Sequence, residues 1–475
     1  LFRTPWHRRG RGAFYGDVAV AGVLGMFWQN VAAAQAVIPA TLPAHASVGL
    51  MSQPTLLGDA GGVRPSLASW GVSVGMQDSV ELFGNASGGL HRGIAYDGVL
   101  QVSLGIDFAN VLGWTGTTFN VSAYQISGRN FSADNLASLQ TASGLEASRA
   151  TRLWEIWLQQ ALSGGKLSVR VGQQSLDQEF IVSAGSSLFV NTAMGWPLLP
   201  STDLYAGGPA YPLASLGVRV HYQPTVDISV LAGVFDDNAN GGARFSDNSQ
   251  LRGAAQSGTA FHLGTGALAI AELQYAATPF GTALQGDYKV GGWFDTGSFP
   301  DQRVDTDGRS LADPASSHLA MSRRTNWSAY AVMDQIVWQP DSAGPRQVSV
   351  FARIMVAPAD RNAISFGVNG GVTFKQPLPG RDNDSLGLGF GVVQFSDRAR
   401  QLDADMNRFS HADLPVRSAE AFIELTYQAQ FSPWLSVQPD VQYVARPGGG
   451  IADPGRAGRR IGDEAVFGVR GTITF

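Results

Sequence analysis

The stretch Glu464-Ala465-Val466-Phe467-Gly468-Val469-Arg470-Gly471-Thr472-Ile473-Thr474-Phe475 decides the fold. Side chains of an extended strand point alternately to opposite faces. Ala465, Phe467, Val469, Gly471, Ile473 and Phe475 therefore share one side, and Glu464, Arg470, Thr472 and Thr474 the other. The first side suits lipid and the second water. The same division recurs upstream, where Leu100, Val102, Leu104 and Ile106 oppose Gln101, Ser103 and Asp107, and Leu167, Val169 and Val171 oppose Lys166, Ser168 and Arg170. A soluble sandwich would turn such a polar face to bulk solvent, whereas a large closed barrel wraps it around an aqueous lumen. Unpaired backbone cannot face lipid, so a sheet that crosses a membrane has to close.

Working outward from that strand, alternating segments of similar kind fall near 72–85, 94–107, 116–128, 152–162, 165–174, 215–223, 226–236, 261–275, 283–294, 326–338, 346–356, 363–375, 384–396, 418–430 and 434–444, with the last at 463–475. That is about sixteen, an even number as bacterial outer-membrane barrels require. The reading is an all-β, transmembrane antiparallel β-barrel of about 16 strands over residues 71–475, with no long helix interrupting it. Such barrels alternate short periplasmic turns with longer external loops. Short links stand at Ser163-Gly164-Gly165, Gln223-Pro224-Thr225, 276–282, 339–345 and Ser432-Pro433. Long ones stand at 129–151, 175–214, 237–260, 295–325, 397–417 and 445–462, and 357–362 is an external link that is unexpectedly brief. With both termini periplasmic, 175–214 is the third external loop, and it is expected to fold inward.

Composition agrees. Acidic residues number 38 and basic 33, leaving −5, and charged residues are 15% of the chain against a usual share of about 25%. This balance argues against nucleic acid as a partner. Cysteine is absent, which excludes disulfide scaffolds, thiolate metal sites and cysteine nucleophiles. At the N-terminus, Arg3, His7, Arg8, Arg9 and Arg11 precede an apolar stretch from Val18 to Trp28 and the triplet Ala34-Gln35-Ala36. That pattern reads as an export signal over 1–36, followed by a periplasmic lead-in over 37–70, and it places the barrel in the outer membrane of a Gram-negative bacterium. The barrel's other partners would be outer-membrane lipid and, during biogenesis, the barrel-assembly machinery, which recognises a C-terminal aromatic such as Phe475.

The chain also resembles the carbohydrate-selective porins of the OprB type. The resemblance is carried by Leu57-Gly58-Asp59-Ala60-Gly61-Gly62-Val63-Arg64-Pro65, although the family usually has an aromatic residue where Ala60 stands, and then by Asn85-Ala86-Ser87-Gly88-Gly89, Tyr96-Asp97-Gly98, Gly113-Trp114 with Gly116, and Leu153-Trp154-Glu155. It continues through Leu188-Phe189-Val190-Asn191, Trp196-Pro197, Phe351-Ala352-Arg353 with Ala357-Pro358, Pro379-Gly380-Arg381-Asp382, and Trp434-Leu435 with Gln438-Pro439-Asp440. No single piece is specific; their order and spacing are. The resemblance implies a passive channel for glucose and other mono- and small oligosaccharides.

A sugar presents hydroxyls that both donate and accept, and C–H faces that rest on aromatic rings. Alternation sends Glu81, Asp97, Glu155, Trp157, Arg170, Arg219, Glu272, Lys289, Trp293, Arg353, Glu420, Glu424, Asp440 and Arg470 into the lumen, and the third loop adds Asp177, Glu179, Asn191, Trp196, Asp203, Tyr205 and Tyr211. Of these, Arg170, Arg219, Arg353, Glu81, Glu155, Trp157, Glu272, Trp293, Glu424, Asp177, Asn191 and Trp196 are the candidate sugar contacts. The competing reading is that the charges are solvated wall and that the aromatics only pack the loop. Alternatives for the whole protein are a general or acidic-solute porin and a surface-binding structural barrel. In the latter, Asp236 to Asn248 would bind calcium, although the run lacks EF-hand spacing and reads as solvated loop. Catalysis is not expected. His45, His91, His221, His262, His318 and His411 lie in no G-x-S-x-G or H-E-x-x-H setting. No cofactor or metal motif appears, and the sequence leaves the oligomeric state open.

Overall fold

A computed structural model describes residues 49–239, 257–261, 263–278, 284–341, 344–456 and 458–475. The expected export signal lies outside the described residues, as does the lead-in before residue 49. Sixteen antiparallel strands form one closed barrel in which every strand pairs with its sequence neighbours and β1 closes on β16. They are β1 (Val72–Ser87), β2 (Ile94–Asp107), β3 (Thr117–Gly128), β4 (Ala150–Leu162), β5 (Leu167–Gln174), β6 (Ser215–Tyr222), β7 (Ile228–Asp236) and β8 (Ala267–Ala277). The second half comprises β9 (Gly286–Asp305), β10 (Ala320–Trp338), β11 (Gln347–Val356), β12 (Ile364–Lys375), β13 (Ser385–Phe395), β14 (Ala419–Ser432), β15 (Leu435–Ala445) and β16 (Glu464–Thr474).

The alternation read from β16 is the one observed. Phe467 and Val469 are exposed while Glu464 and Arg470 are buried. Leu82, Val102, Leu158, Val171, Leu273, Leu388, Ile423 and Val441 continue the exposed apolar band around the barrel. Tyr222, Tyr275 and Trp338 are exposed near the turn end of the strands, and Tyr96, Trp327 and Tyr443 are exposed toward the loop end, where aromatic girdles meet the two membrane interfaces. At the turn end the lead-in docks on the last strand: Leu56 N donates to Thr474 O at 2.8 Å, and the Arg64 guanidinium donates to Phe475 O.

The external side departs from expectation twice. Much of 295–325, read as loop, continues β9 and β10 as a long hairpin, with Asp305 paired to Ala320 and bulges at Ala320/Ser322 and Arg324/Asn326. Beyond the membrane no lipid-facing alternation is required, so Gly297, Pro300 and a run of charges read as loop. The hairpin also explains the brief link 357–362, which lies beneath it: Gln302 N donates to Asp360 O at 2.9 Å, and Asn362 pairs with Asn326. The second departure is the helix Asp397–Ser410, capped by Ser396 Oγ accepting from Ala399 N at 3.2 Å. Bidentate pairs Arg303–Asp405 and Arg417–Asp403 fasten it, each with a shortest contact of 2.7 or 2.8 Å. The sequence hides this helix because it is held by ion pairs rather than by an apolar stripe.

The lumen is not uniformly wet. Along β7–β13 the inner face carries hydrocarbon: Leu231, Phe235, Leu268, Ile270, Val332, Met355, Ile364 and Val393 pack against Leu176, Phe180, Ile181, Trp196, Leu198, Leu199 and Leu204 of the third loop. Glycine makes room for it. In Leu386-Gly387-Leu388-Gly389-Phe390-Gly391, leucine and phenylalanine face out, and a β-carbon at Gly387 or Gly389 would come within 2.8 and 2.7 Å of the Phe189 ring.

Candidate functional site

Two loops occupy the barrel interior, and the charged wall residues hold them there. A buried backbone N–H or C=O is costly to leave unpaired, and a loop running through a barrel has many of both. On the donor side, Ile181 N gives to Glu272 at 2.8 Å, Gly185 N to Asp334 at 2.8 Å and Val190 N to Glu424 at 2.6 Å. On the acceptor side, Lys289 Nζ donates to Val182 O at 2.7 Å. Arg353 is 2% exposed and gives its guanidinium to Ile181 O, Ala193 O, Met194 O and Gly195 O at 2.7–3.1 Å, with Nε on Asn369 Oδ1 at 2.9 Å.

The second loop, 129–149, is held in the same manner. Ala137 N donates to Glu464, Leu139 N and Gln140 N to Glu420, and the Ser143 hydroxyl to Glu81, which also pairs with Arg470. The two loops bond to each other through Gly144 N on Val190 O at 2.9 Å and Tyr211 Oη on Leu145 O at 3.0 Å. Between them and the wall of β1, β2, β3 and β16 remains a cavity of about 280 Å³. Its lining mixes uncharged donors and acceptors, among them Gln77, Ser79, Gln101, Gln178, Ser187 and Thr192, with apolar surface from Val99, Leu139, Leu145, Phe189, Met194 and Leu198. Glu146, Asp177, Arg353 and Arg470 supply the charge, and Trp196 and Tyr211 the rings.

A second cluster stands on β4–β6, close to the turn end. Arg170 and Arg219 are directly opposite in the β5–β6 register, with Gln159 opposite Arg170 on β4. Like charges directly opposite are unfavourable. Glu179 of the third loop resolves the conflict, 2.9 Å from Arg170 Nη1 and 2.5 Å from Arg219 Nε, while Gln159 Oε1 accepts from both guanidinium groups. Arg170 also lies 4.0 Å from the centroid of the Trp157 ring. Burial alone would raise the Glu179 carboxyl, but Arg170 and Arg219 hold it below the ordinary carboxylate value. Arg170 and Glu179 keep 14% and 21% of their side-chain surface accessible, and Arg219 only 6%.

The candidate contacts thus separate into groups. Arg170, Arg219 and Trp157 form the cluster just described. Asp177, Asn191, Trp196 and Arg353 line the cavity, although Trp196 is also packed in hydrocarbon with its Nε1 on Gly207 O at 2.9 Å, and Arg353 spends its donors on loop carbonyls. Glu272 and Glu424 are partners of loop backbone, as is Glu155, which accepts from Ser175 N at 2.9 Å. Glu81 binds Ser143 and Arg470, and Trp293 sits in the apolar cluster. Reading for charge overlooked the amide and hydroxyl rows. The signal was present, because Gln77, Ser79 and Glu81 alternate on β1 and Gln101 and Ser103 on β2. It also overlooked the second loop, which nothing in its sequence marks as inward-folding.

Glu146 gives this lining a pH response. Burial pushes its carboxyl up to about 8, and nearby Asp97 and Glu81 add to the rise, against hydrogen bonds from Ser132 that favour the ionised form. The proton is therefore held at neutral pH, and the stability it contributes is lost as pH rises from the unfolded carboxylate value of 4.5 through about 8. Between pH 7 and 9 the cavity gains a negative charge. The K⁺/Cl⁻ permeability ratio in planar bilayers is expected to rise over that interval, and Glu146→Gln to remove the rise.

Comparison with known proteins converges on this architecture. The chain is 26% identical over 414 residues to Porin B of Pseudomonas aeruginosa, covering 83% of this chain and 87% of that protein. A structure described as the high-pH form of Pseudomonas putida OprB superimposes with a TM-score of 0.78 at 23% identity, covering 90% of this chain and all (100%) of that one. The low-pH form gives 0.53 at 17% identity, covering 90% of this chain and 99% of that one. The profile of the carbohydrate-selective porin, OprB family, matches residues 91–475. A sixteen-stranded barrel whose interior is narrowed by two inward-folded loops is thus matched along most of its length by one family, and the chain belongs to the carbohydrate-selective porins of the OprB family.

Proposed function

We propose that sugar selectivity in this outer-membrane diffusion channel arises at the slot between the second and third loops. The lining carries the reading: amides and hydroxyls such as Gln77, Ser79 and Gln101 replace part of a sugar's hydration shell, beside apolar surface and the Trp196 and Tyr211 rings on which its C–H faces rest. A volume of about 280 Å³ is smaller than the roughly 300–1,000 Å³ of drug-sized sites, which favours a monosaccharide over an extended chain. Asp177 presents a carboxylate to the solute, while Asn191, whose amide is bonded to Gln140 O, Gln442 and Ala193 N, holds the loop beside it. Arg353, Glu272, Glu424, Glu155 and Glu81 act as positioning residues that keep the loops in place. Arg170, Arg219 and Trp157, with Glu179, form a second contact on the way to the turn end. Uptake is passive, and no catalytic step belongs to this reading.

Liposome-swelling and planar-bilayer measurements test it. Glucose is expected to permeate several-fold faster than sulfate, amino acids or small organic acids of similar size. Equal permeation of all solutes would leave a general porin. Faster organic acids would favour the acidic-solute reading, to which the two guanidinium groups facing one Glu179 lend weight. Negligible conductance would leave a structural barrel. The same reading takes 1–36 as a cleaved export signal, 37–70 as a periplasmic lead-in and 71–475 as the barrel, with outer-membrane lipid and the barrel-assembly machinery as its partners.

A further inference from the structure

The outer rim over β15, β16, β1 and β2 carries a charge opposite to that of the whole chain. The chain stands at −5, yet Arg92 in the link between β1 and β2, and Arg446, Arg456, Arg459 and Arg460 in the link between β15 and β16, are all exposed. The two links touch, since a β-carbon at Gly88 would lie 2.2 Å from Asp463 O. Arg129 and Arg149 continue the patch over the adjoining ends of β3 and β4. Among the described residues, none of these arginines enters an ion pair. The carboxylates beside them are committed elsewhere: Asp463 accepts from the Tyr443 hydroxyl at 3.1 Å and from Arg446 N at 2.9 Å, and Asp453 from Gly455 N at 2.8 Å. Arg446 gives one donor to the Ser418 hydroxyl. Lysine supplies none of this charge.

The patch stands immediately beyond the lipid-facing band. Ile94 is 79% exposed, and Tyr96 and Tyr443 are exposed with it, at the level where aromatic girdles mark the interface. Arg92 lies two residues past Ile94 and Arg446 three past Tyr443, a path of about 7–10 Å at the rise of an extended chain. Strand tilt reduces this to about 5–8 Å along the membrane normal, which is about the thickness of one headgroup layer. Crowded guanidinium groups repel one another, and an anion at that depth relieves them. The outer leaflet of a Gram-negative outer membrane supplies one, a glycolipid whose sugar headgroup carries phosphates. Guanidinium forks match phosphate oxygens two by two, and basic clusters beside a membrane face recognise anionic headgroups. We propose that the rim formed by Arg92, Arg446, Arg456, Arg459 and Arg460 binds the phosphates of an outer-leaflet glycolipid, with its acyl chains along the apolar band below. The bound lipid clamps the links on either side of the seam where β16 closes on β1. This rests on the placement of the barrel in the outer membrane and is independent of sugar selectivity.

Binding is tested on the full chain in detergent by native mass spectrometry, with no reference to transport. The probes are bisphosphorylated lipid A, its dephosphorylated form and inorganic phosphate. Lipid A should stay bound and raise the unfolding temperature, and the dephosphorylated form should bind at least about tenfold more weakly. Arg456→Gln, Arg459→Gln and Arg460→Gln combined should weaken lipid A binding by at least about tenfold, and lysine at the same three positions should cost less, since it keeps the charge and loses only the fork. Should the glutamine triple fail to form a heat-resistant barrel, Arg92→Gln and Arg459→Gln singly take its place, each with a loss of about threefold or more. Equal binding of the dephosphorylated lipid would leave the apolar band as the sole contact and overturn the proposal. Displacement of lipid A by inorganic phosphate would overturn it too, by making the rim a site for free anions. So would a glutamine triple that shifts only the Cl⁻/K⁺ permeability ratio and leaves lipid binding intact, which would make the patch a funnel for anionic solutes.

Discussion

Arg353→Met is expected to widen the channel and abolish its preference for sugars while leaving the barrel intact. Arg353 gathers Ile181 O and the three consecutive carbonyls Ala193 O, Met194 O and Gly195 O, joining two separate parts of the third loop to β11. Methionine fills a similar volume and supplies no donor. Ala193 O keeps Asn369 Nδ2 as a donor at 3.0 Å, but each of the other buried carbonyls left without a partner costs about 1–3 kcal/mol, so the loop gains several kcal/mol of reason to leave its place. The strand ladder loses nothing, because every β11 backbone pairing is independent of the side chain. Single-channel conductance should rise by about twofold or more, glucose and organic acids should permeate alike, and heat resistance on gels should persist. Arg353→Lys keeps the charge but offers a point donor in place of a planar fork, and should fall between the two. Wild-type conductance and selectivity in Arg353→Met would show that Glu272, Lys289, Asp334 and Glu424 hold the loop without it.

The second large effect is expected for Glu179→Gln. Removing that carboxylate leaves Arg170 and Arg219 opposite one another with only Gln159 between them. At separations near 4 Å a unit charge is worth about 4 kcal/mol in a partly polar environment, less once salt screens it. The Cl⁻/K⁺ permeability ratio should therefore rise by about fivefold to tenfold at low ionic strength, read from reversal potentials across a KCl gradient. Glucose flux should fall, since anions drawn to the uncompensated guanidinium groups compete with it, and Glu179→Asp should restore part of the wild-type ratio. Because the arginines hold the Glu179 carboxyl below its ordinary value, the ion pair itself stays formed as pH falls toward that lowered value, while the stability it contributes is lost progressively from the unfolded carboxylate value of 4.5 down through the lowered one. An unchanged permeability ratio in Glu179→Gln would separate the cluster from the conduction path.

The barrel was legible because lipid on one side and water on the other impose a period of two, and period survives in a single sequence. Glu464, Phe467, Val469 and Arg470 announce it, and each of the sixteen strands overlaps a segment where the alternation stands, with β8 starting later and β9 and β10 extending further than read. Legibility ended with that constraint. Beyond the membrane, Asp295–Asp305 continues a strand and Asp397–Ser410 forms a helix through ion pairs that no local pattern encodes. Within the lumen, alternation placed Glu272, Arg353 and Glu424 correctly on the inner face but said nothing of what they touch. Their partners are backbone groups of a loop more than seventy residues away along the chain. Sequence alone thus determined the wall, since each strand carries its own record of which side faces lipid. Which wall charges meet solute and which hold loops was decided only by the closed structure, because buried peptide groups take whatever partner the fold brings within reach.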